Sequence, residues 1–141
     1  MPVFRTRSEE ETIALGRELA LGLPPRAVVL LIGNLGAGKT TLAKGIVEGL
    51  RAAAPEEVSS PTFTLIHEYG GGRVFHVDLY RIDDARELRT LGLPDLLERE
   101  AVILVEWGER FPHLWPPERI EIRLRALEGD EREIAVREGL T

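Results

Sequence analysis

Gly33-Asn34-Leu35-Gly36-Ala37-Gly38-Lys39-Thr40 is the stretch that decides the fold. It satisfies G-x-x-x-x-G-K-[ST], a pattern in which every fixed position has a physical task. Gly33 and Gly38 lack a Cβ, so the backbone can turn tightly and approach phosphate oxygens closely. The N–H groups of such a loop converge as an anion nest. Lys39 adds a cation for the β- and γ-phosphates. The Thr40 hydroxyl suits a Mg²⁺ shell built from few protein oxygens and several waters.

The flanks agree with the loop. Ala27-Val28-Val29-Leu30-Leu31-Ile32 is a short apolar run rich in branched residues, expected as a strand buried on both faces of a parallel sheet. Leu42, Ile46, Val47 and Leu50 recur at helical spacing after it. Strand, glycine loop and helix thus follow in the order a phosphate site requires, with the helix N-terminus aimed at the ligand.

The chain has 141 residues, the size of one domain, taken as residues 1–141, and 43% hydrophobic content suffices for a core. No apolar run approaches the roughly 20 residues of a membrane span, and the polar, acidic N-terminal segment does not read as a signal peptide. Cysteine is absent, which excludes a disulfide framework, a thiolate zinc site and a thiol nucleophile. A cytoplasmic location is expected. The formal net charge of −6 argues against a broad nucleic-acid grip, which needs clustered Lys and Arg. Of the 18 basic residues 16 are Arg; the two lysines are Lys39 and Lys44. Lys39 therefore stands where a compact ammonium is wanted rather than a planar fork.

Ser8 and Glu11 have capping-box spacing and open an amphipathic helix with Thr12, Ile13, Gly16, Leu19, Ala20 and Leu23 inward, stopped by Gly22 and Pro24-Pro25. The helix after the loop is expected to run to about Ala54. Residues 63–69 and 73–78 read as two strands around Gly70-Gly71-Gly72, the second alternating in polarity. Asp84 and Glu87 form another capping-box pattern, opening a short helix to Leu91, and Pro94 starts one more turn. Residues 101–106 read as a second buried strand. Arg119 to Arg125 alternates, polar out and apolar in, and residues 131–138 pair back across a turn at Glu128-Gly129-Asp130.

A Mg-nucleotide site needs an acidic residue at the end of a neighbouring hydrophobic strand. Glu106 and Asp78 both qualify, and Glu106 has the stronger pattern because Val102-Ile103-Leu104-Val105 precedes it. Two readings stand for Ser60-Pro61-Thr62: a γ-phosphate sensor at Thr62, or a turn that starts a strand. Arg81 reads as a surface arginine, or as an internal arginine finger. His67, His76 and His113 lack ligand spacing. Trp107 reads as core, packed below the nucleotide. No Asn-Lys-x-Asp segment occurs, so ATP is expected rather than GTP.

Four segments in one order carry a resemblance: the loop through Thr41, then Ser59-Ser60-Pro61-Thr62-Phe63-Thr64-Leu65, then His76-Val77-Asp78-Leu79-Tyr80-Arg81, then Val105-Glu106-Trp107. Together they resemble TsaE, the small ATPase of bacterial tRNA threonylcarbamoyladenosine (t6A) modification. The resemblance covers nearly the whole chain and is weakest after Pro116. It implies an α/β P-loop NTPase-like three-layer sandwich, with a mainly parallel central sheet and added antiparallel strands. It implies ATP and Mg²⁺ as cofactors, TsaD and TsaB as partners, and contact with tRNA only through that complex. Gly36, Ala37, Gly38, Lys39, Thr40 and Thr41, with Gly33 before them, match the phosphate cradle; Glu9 to Thr12 match a segment near the adenine. Thr40 and Glu106 match the magnesium positions, and Asp78 an acidic residue near them. Lys39, Glu106 and Asp78 are the expected catalytic residues. Asn34 departs from the aspartate common there, at a position that points out of the cradle. The rival readings are a small-molecule kinase, for which no acceptor pocket or arginine-bearing lid is evident, and a nucleotide-dependent switch without turnover.

Overall fold

The structure is a computed structural model that describes residues 2–61 and 64–138. In chain order the elements are β1 Val3–Thr6, α1 Glu9–Leu21, β2 Ala27–Ile32, α2 Lys39–Gly49, β3 Ile66–Tyr69, β4 Val74–Asp78, α3 Arg86–Thr90, α4 Leu93–Leu97, β5 Val102–Glu106, β6 Ile120–Ala126 and β7 Arg132–Glu138. The strands form one seven-stranded sheet in the order β1-β7-β6-β2-β5-β4-β3. Its centre, β6-β2-β5-β4, is parallel, while β3, β7 and β1 add antiparallel pairs at the two sides. The expected layered α/β architecture is present. No helix among the described residues is long and apolar enough to cross a membrane.

The apolar run of β2 lies at the middle of the sheet because it has water on neither face. Val29 and Leu31 point to a core made with α1 and α2, which includes Leu42, Ile46 and Val47. Val28 and Leu30 point to the opposite core, with Leu88, Leu93, Leu96 and Trp115. Burying each of the leucines in β2 contributes about 1.5–3 kcal/mol, and both are almost fully enclosed. The alternation of a strand then fixes the polar residues. On β4 and β5, Val74, Val102 and Leu104 face the α2 side, so His76, Asp78 and Glu106 face it too.

Helices α1 and α2 touch through their backbones. A Cβ on Gly45 would lie 2.1 Å from the Ile13 carbonyl oxygen, and one on Gly16 would lie 2.6 Å from that of Leu42. Leu15, outside the expected inward set, is buried on α1 with Thr12, Gly16 and Ala20. Ser8 caps this helix by accepting from Glu11 N, but the Glu11 carboxylate accepts from Arg7 N, one residue before the cap.

Several boundaries differ from expectation. β1 precedes α1, making β2 the second strand. Helix α2 ends at Gly49 rather than near Ala54, because Arg51 takes a left-handed φ of 57° and a 3-10 turn follows at Pro55–Glu57. β3 starts at Ile66, after Leu65 turns with a φ of 70°. Helix α3 starts at Arg86, because Arg86 takes the Asp84 carboxylate through both its N–H and its guanidinium. β4 is not a half-exposed alternating strand: all five of its residues are buried. Glu121 breaks the alternation of β6, buried between the guanidinium groups of Arg119 and Arg123.

Candidate functional site

The sheet ends and the glycine loop meet at one cleft of about 450 Å³. Its floor is the start of α2, where Gly38 sits with a φ of 102° that an L side chain rarely adopts. Gly36, also left-handed, lies at the rim, and Ala37 N donates to Asn34 O to close the turn between. Lys39, Thr40 and Thr41 follow on the first turn of the helix and line the cleft with Gly36 and Gly38. Gly33 and Ala37 stand behind it: a Cβ on Gly33 would strike the Leu124 carbonyl oxygen at 2.6 Å, so the loop's entry is seated against β6. Asn34 is exposed, as expected of a position that points out of the cradle.

Both acidic candidates are at this cleft. β4 and β5 are parallel neighbours with Asp78 opposite Glu106, and both carboxylates are nearly fully buried. Glu106 Oε2 accepts from Thr40 Oγ1 at 3.0 Å and lies 2.6 Å from His76 Nε2. Asp78 accepts from Ser60 Oγ at 3.1 Å and from Tyr80 N at 2.8 Å. A carboxylate held by the Thr40 hydroxyl with a second carboxylate beside it is an oxygen donor set that would suit a divalent cation keeping several waters.

Lys39 gives the clearest indication that an anion belongs here. Its side chain is 4% exposed, yet Nζ has no hydrogen-bond partner among the described residues. The ammonium lies over the Trp107 ring, 3.5 Å from its centroid. Burial pulls its pKa below the ordinary value, opposed by the nearby carboxylates of Glu106, Glu109 and Asp78. A buried ammonium without hydrogen-bond acceptors is costly unless a ligand supplies them.

On the far wall, Thr12 and Glu9 come from the start of α1. Thr12 is buried and shares a 2.7 Å hydrogen bond with Thr6 of β1. Thus Thr12, Gly36, Gly38, Lys39, Thr40, Thr41, Asp78 and Glu106 meet at one place, whereas Thr62 lies outside the described residues. Arg81 is exposed.

Three contributions were missed by sequence reasoning. His76 has no ligand spacing, but it stands in register with Leu104 on the sheet face that Glu106 shares, and its ring reaches diagonally to that carboxylate. Trp107 is not simply core: a φ of 66° turns the chain out of β5, and its ring becomes the seat of Lys39 and packs 5.1 Å from Tyr80. Asp130 and Arg132, from the turn and start of β7, close the cleft's other end. Arg132 donates to Gly36 O at 3.2 Å while its other nitrogen binds the carbonyls of Gly129 and Glu131. Only the parallel pairing of β6 with β2, which carries the hairpin to the glycine loop, would have revealed this, and that is not written in a local motif.

A family model described as Threonylcarbamoyl adenosine biosynthesis protein TsaE matches residues 6–134. The chain is similar to the tRNA threonylcarbamoyladenosine biosynthesis protein TsaE of Bacillus subtilis (strain 168), 42% identical over 133 residues that cover 93% of this chain and 82% of the relative. It is similar to the protein of the same name from Aquifex aeolicus (strain VF5), 37% identical over 131 residues, 92% of this chain and 90% of the relative. Among solved structures, the crystal structure of Bacillus subtilis YdiB superposes with a TM-score of 0.76 and 34% identity, covering 99% of this chain and 86% of that one.

Proposed function

The chain belongs to the TsaE family, and we propose from that premise that it serves tRNA t6A biosynthesis as an ATP-binding and ATP-hydrolysing accessory of TsaB and TsaD. The observation that carries the reading is the buried, acceptor-less ammonium of Lys39 on a glycine loop beside Asp78 and Glu106.

In this reading the loop amides and Lys39 hold the β- and γ-phosphates, and the ammonium leaves the Trp107 face for phosphate oxygens. Preorganised donors of this kind contribute on the order of several kcal/mol to lowering a phosphoryl-transfer barrier. Thr40 and Glu106 hold Mg²⁺, with Asp78 close by, and the metal supplies neutralisation of charge on the triphosphate when bound. Asp78 and Glu106 orient the attacking water: a P–O bond forms to it, the bond from the γ-phosphorus to the β–γ bridging oxygen breaks, and ADP, phosphate and a proton leave. The absence of an Asn-Lys-x-Asp segment favours ATP over GTP. Thr12 and Glu9 provide the wall nearest the base. The net charge of −6 favours a protein partner over direct capture of tRNA.

The reading predicts a slow ATPase in isolation, because the arginine that lines the cleft among the described residues, Arg132, is spent on the carbonyls of Gly36, Gly129 and Glu131, and an arginine finger supplied in trans can raise the rate roughly 10³- to 10⁵-fold. Phosphate release is measured for the protein alone, with tRNA alone, and with TsaB and TsaD. Low basal release that rises with the two proteins is expected. A full rate in isolation, or stimulation by tRNA without them, refutes partner gating. Turnover only on adding a small-molecule acceptor identifies a kinase, and ATP retained without release identifies a switch.

A further inference from the structure

We propose that His76 is a positioning residue for Glu106, fixing which carboxylate oxygen is spent inside the protein and which is left for the metal. The inference rests on the nucleotide–Mg²⁺ reading of the cleft and adds to it a residue outside the loop and the acidic strand ends.

The imidazole is fully enclosed, and its sole hydrogen bond among the described residues is the 2.6 Å contact from Nε2 to Glu106 Oε2. Nδ1 is buried with no partner among them. A ring packed in the sheet for its bulk alone has no reason to be a histidine, since an apolar residue of similar volume would leave no polar atom stranded. With the proton on Nε2, the carboxylate gains a donor and the stranded atom is an acceptor. The opposite tautomer strands a buried N–H, which proteins tolerate less often.

What the contact achieves follows from the length of Glu106. A glutamate has one more rotatable bond than an aspartate, and immobilising such a side chain costs rotamer entropy. Thr40 cannot restrain it alone, because that hydroxyl sits on the first turn of α2 and has its own place in the metal shell. His76 comes from β4, an interior strand paired with β5, and its ring is fully enclosed. Oε2 thereby takes two donors, from Thr40 and His76, while Oε1 takes none among the described residues. The carboxylate is locked with one oxygen free. Hydrogen bonds from outside the coordination sphere commonly set metal affinity by 10- to 100-fold.

The test is calorimetric titration of ADP, with Mg²⁺ varied and with EDTA, on wild type, His76→Leu and His76→Gln, each first checked for folding by circular dichroism. Leucine keeps the volume without the donor; glutamine restores a donor near the position of Nε2. The expected result is that H76L raises the Mg²⁺ concentration needed for half-maximal tightening roughly tenfold or more, leaves affinity in EDTA unchanged, and that H76Q regains most of the loss. An unchanged Mg²⁺ requirement in H76L, or a folded H76Q as impaired as H76L, overturns the proposal and leaves a packing histidine. Should H76L not fold, His76→Asn, whose amide stops short of Glu106, is read in its place. Wild type that binds ADP no more tightly with Mg²⁺ than in EDTA overturns the reading of the cleft itself, and this inference with it.

Discussion

Gly45→Ala tests whether the backbone contact between α1 and α2 sets the width of the cleft. The added methyl would sit 2.1 Å from the Ile13 carbonyl oxygen, where anything under 3.0 Å forces a shift, and 3.0 Å from Gly16 Cα. The obstacle is main chain on both counts, so no side chain can swing aside, and the helices must part by about an ångström. Overpacking costs about 1–3 kcal/mol, and this rigid case belongs at or above the upper end. Replacing a helical glycine by alanine returns about 1 kcal/mol. The net loss is about 2 kcal/mol, which for a chain of this length lowers Tm by roughly 7 °C. The same movement separates Thr12 and Glu9 on α1 from Lys39, Thr40 and Thr41 on α2, so nucleotide affinity should fall several-fold at temperatures where the variant is fully folded. Thermal unfolding by circular dichroism and calorimetric titration of ADP read the two effects. A Tm equal to or above wild type would refute the close-contact argument, and unchanged affinity in a destabilised variant would separate helix packing from the site.

Lys39→Met should abolish phosphate release and at the same time stabilise the protein near neutral pH. The buried ammonium binds its proton less tightly in the folded chain than at its ordinary value near 10.5, so the unfolded chain holds more protons between the two values and stability rises with pH across that window. The advantage of methionine is therefore full below the folded-state pKa and shrinks toward pH 10.5; chemical denaturation from pH 7 to 10.5 checks it, and a gain that grows with pH would sink it. Glu106→Gln should raise the Mg²⁺ requirement of ATP hydrolysis more than Asp78→Asn, because the Thr40 hydroxyl bonds Glu106; if only Asp78→Asn raises it, the metal role belongs to the other strand.

The central part of the fold was legible because local chemistry dictated it. An uninterrupted apolar run permits burial on both faces, and a glycine-lysine-threonine loop after such a run permits little else. Glu106 was legible for the same reason, at the end of Val102-Ile103-Leu104-Val105, and Asp78 only as the acid that closes an alternating strand. β4 misled because His76 and Asp78 alternate with apolar residues, and alternation ordinarily means one wet face. Here that face is the site, and its polar groups are buried against Glu106 and Ser60. β1 was overlooked because a four-residue edge strand carries little pattern, and its partner lies at the far end of the sequence. Arg132 was illegible for a related reason. An arginine opening an exposed hairpin strand looks ordinary until tertiary pairing sets it against the Gly36 carbonyl.

The pairing of the first strand with the last has a consequence for how the protein is made. Val3 to Thr6 pair in the sheet with residues 132–135, and the guanidinium that donates to the Gly36 carbonyl belongs to residue 132 as well. During synthesis the loop and its helix leave the ribosome about ninety residues before Arg132, at 5–20 residues per second, several seconds earlier. For that interval the nascent chain carries a glycine loop without its clasp and an N-terminal strand without a partner. β2 likewise waits for β6 on one side, so the centre of the sheet is among the last parts to be completed. A message truncated before the final hairpin yields a chain with every residue of the phosphate-binding motif but without that restraint. Fastening of the glycine loop thus waits for the synthesis of β7.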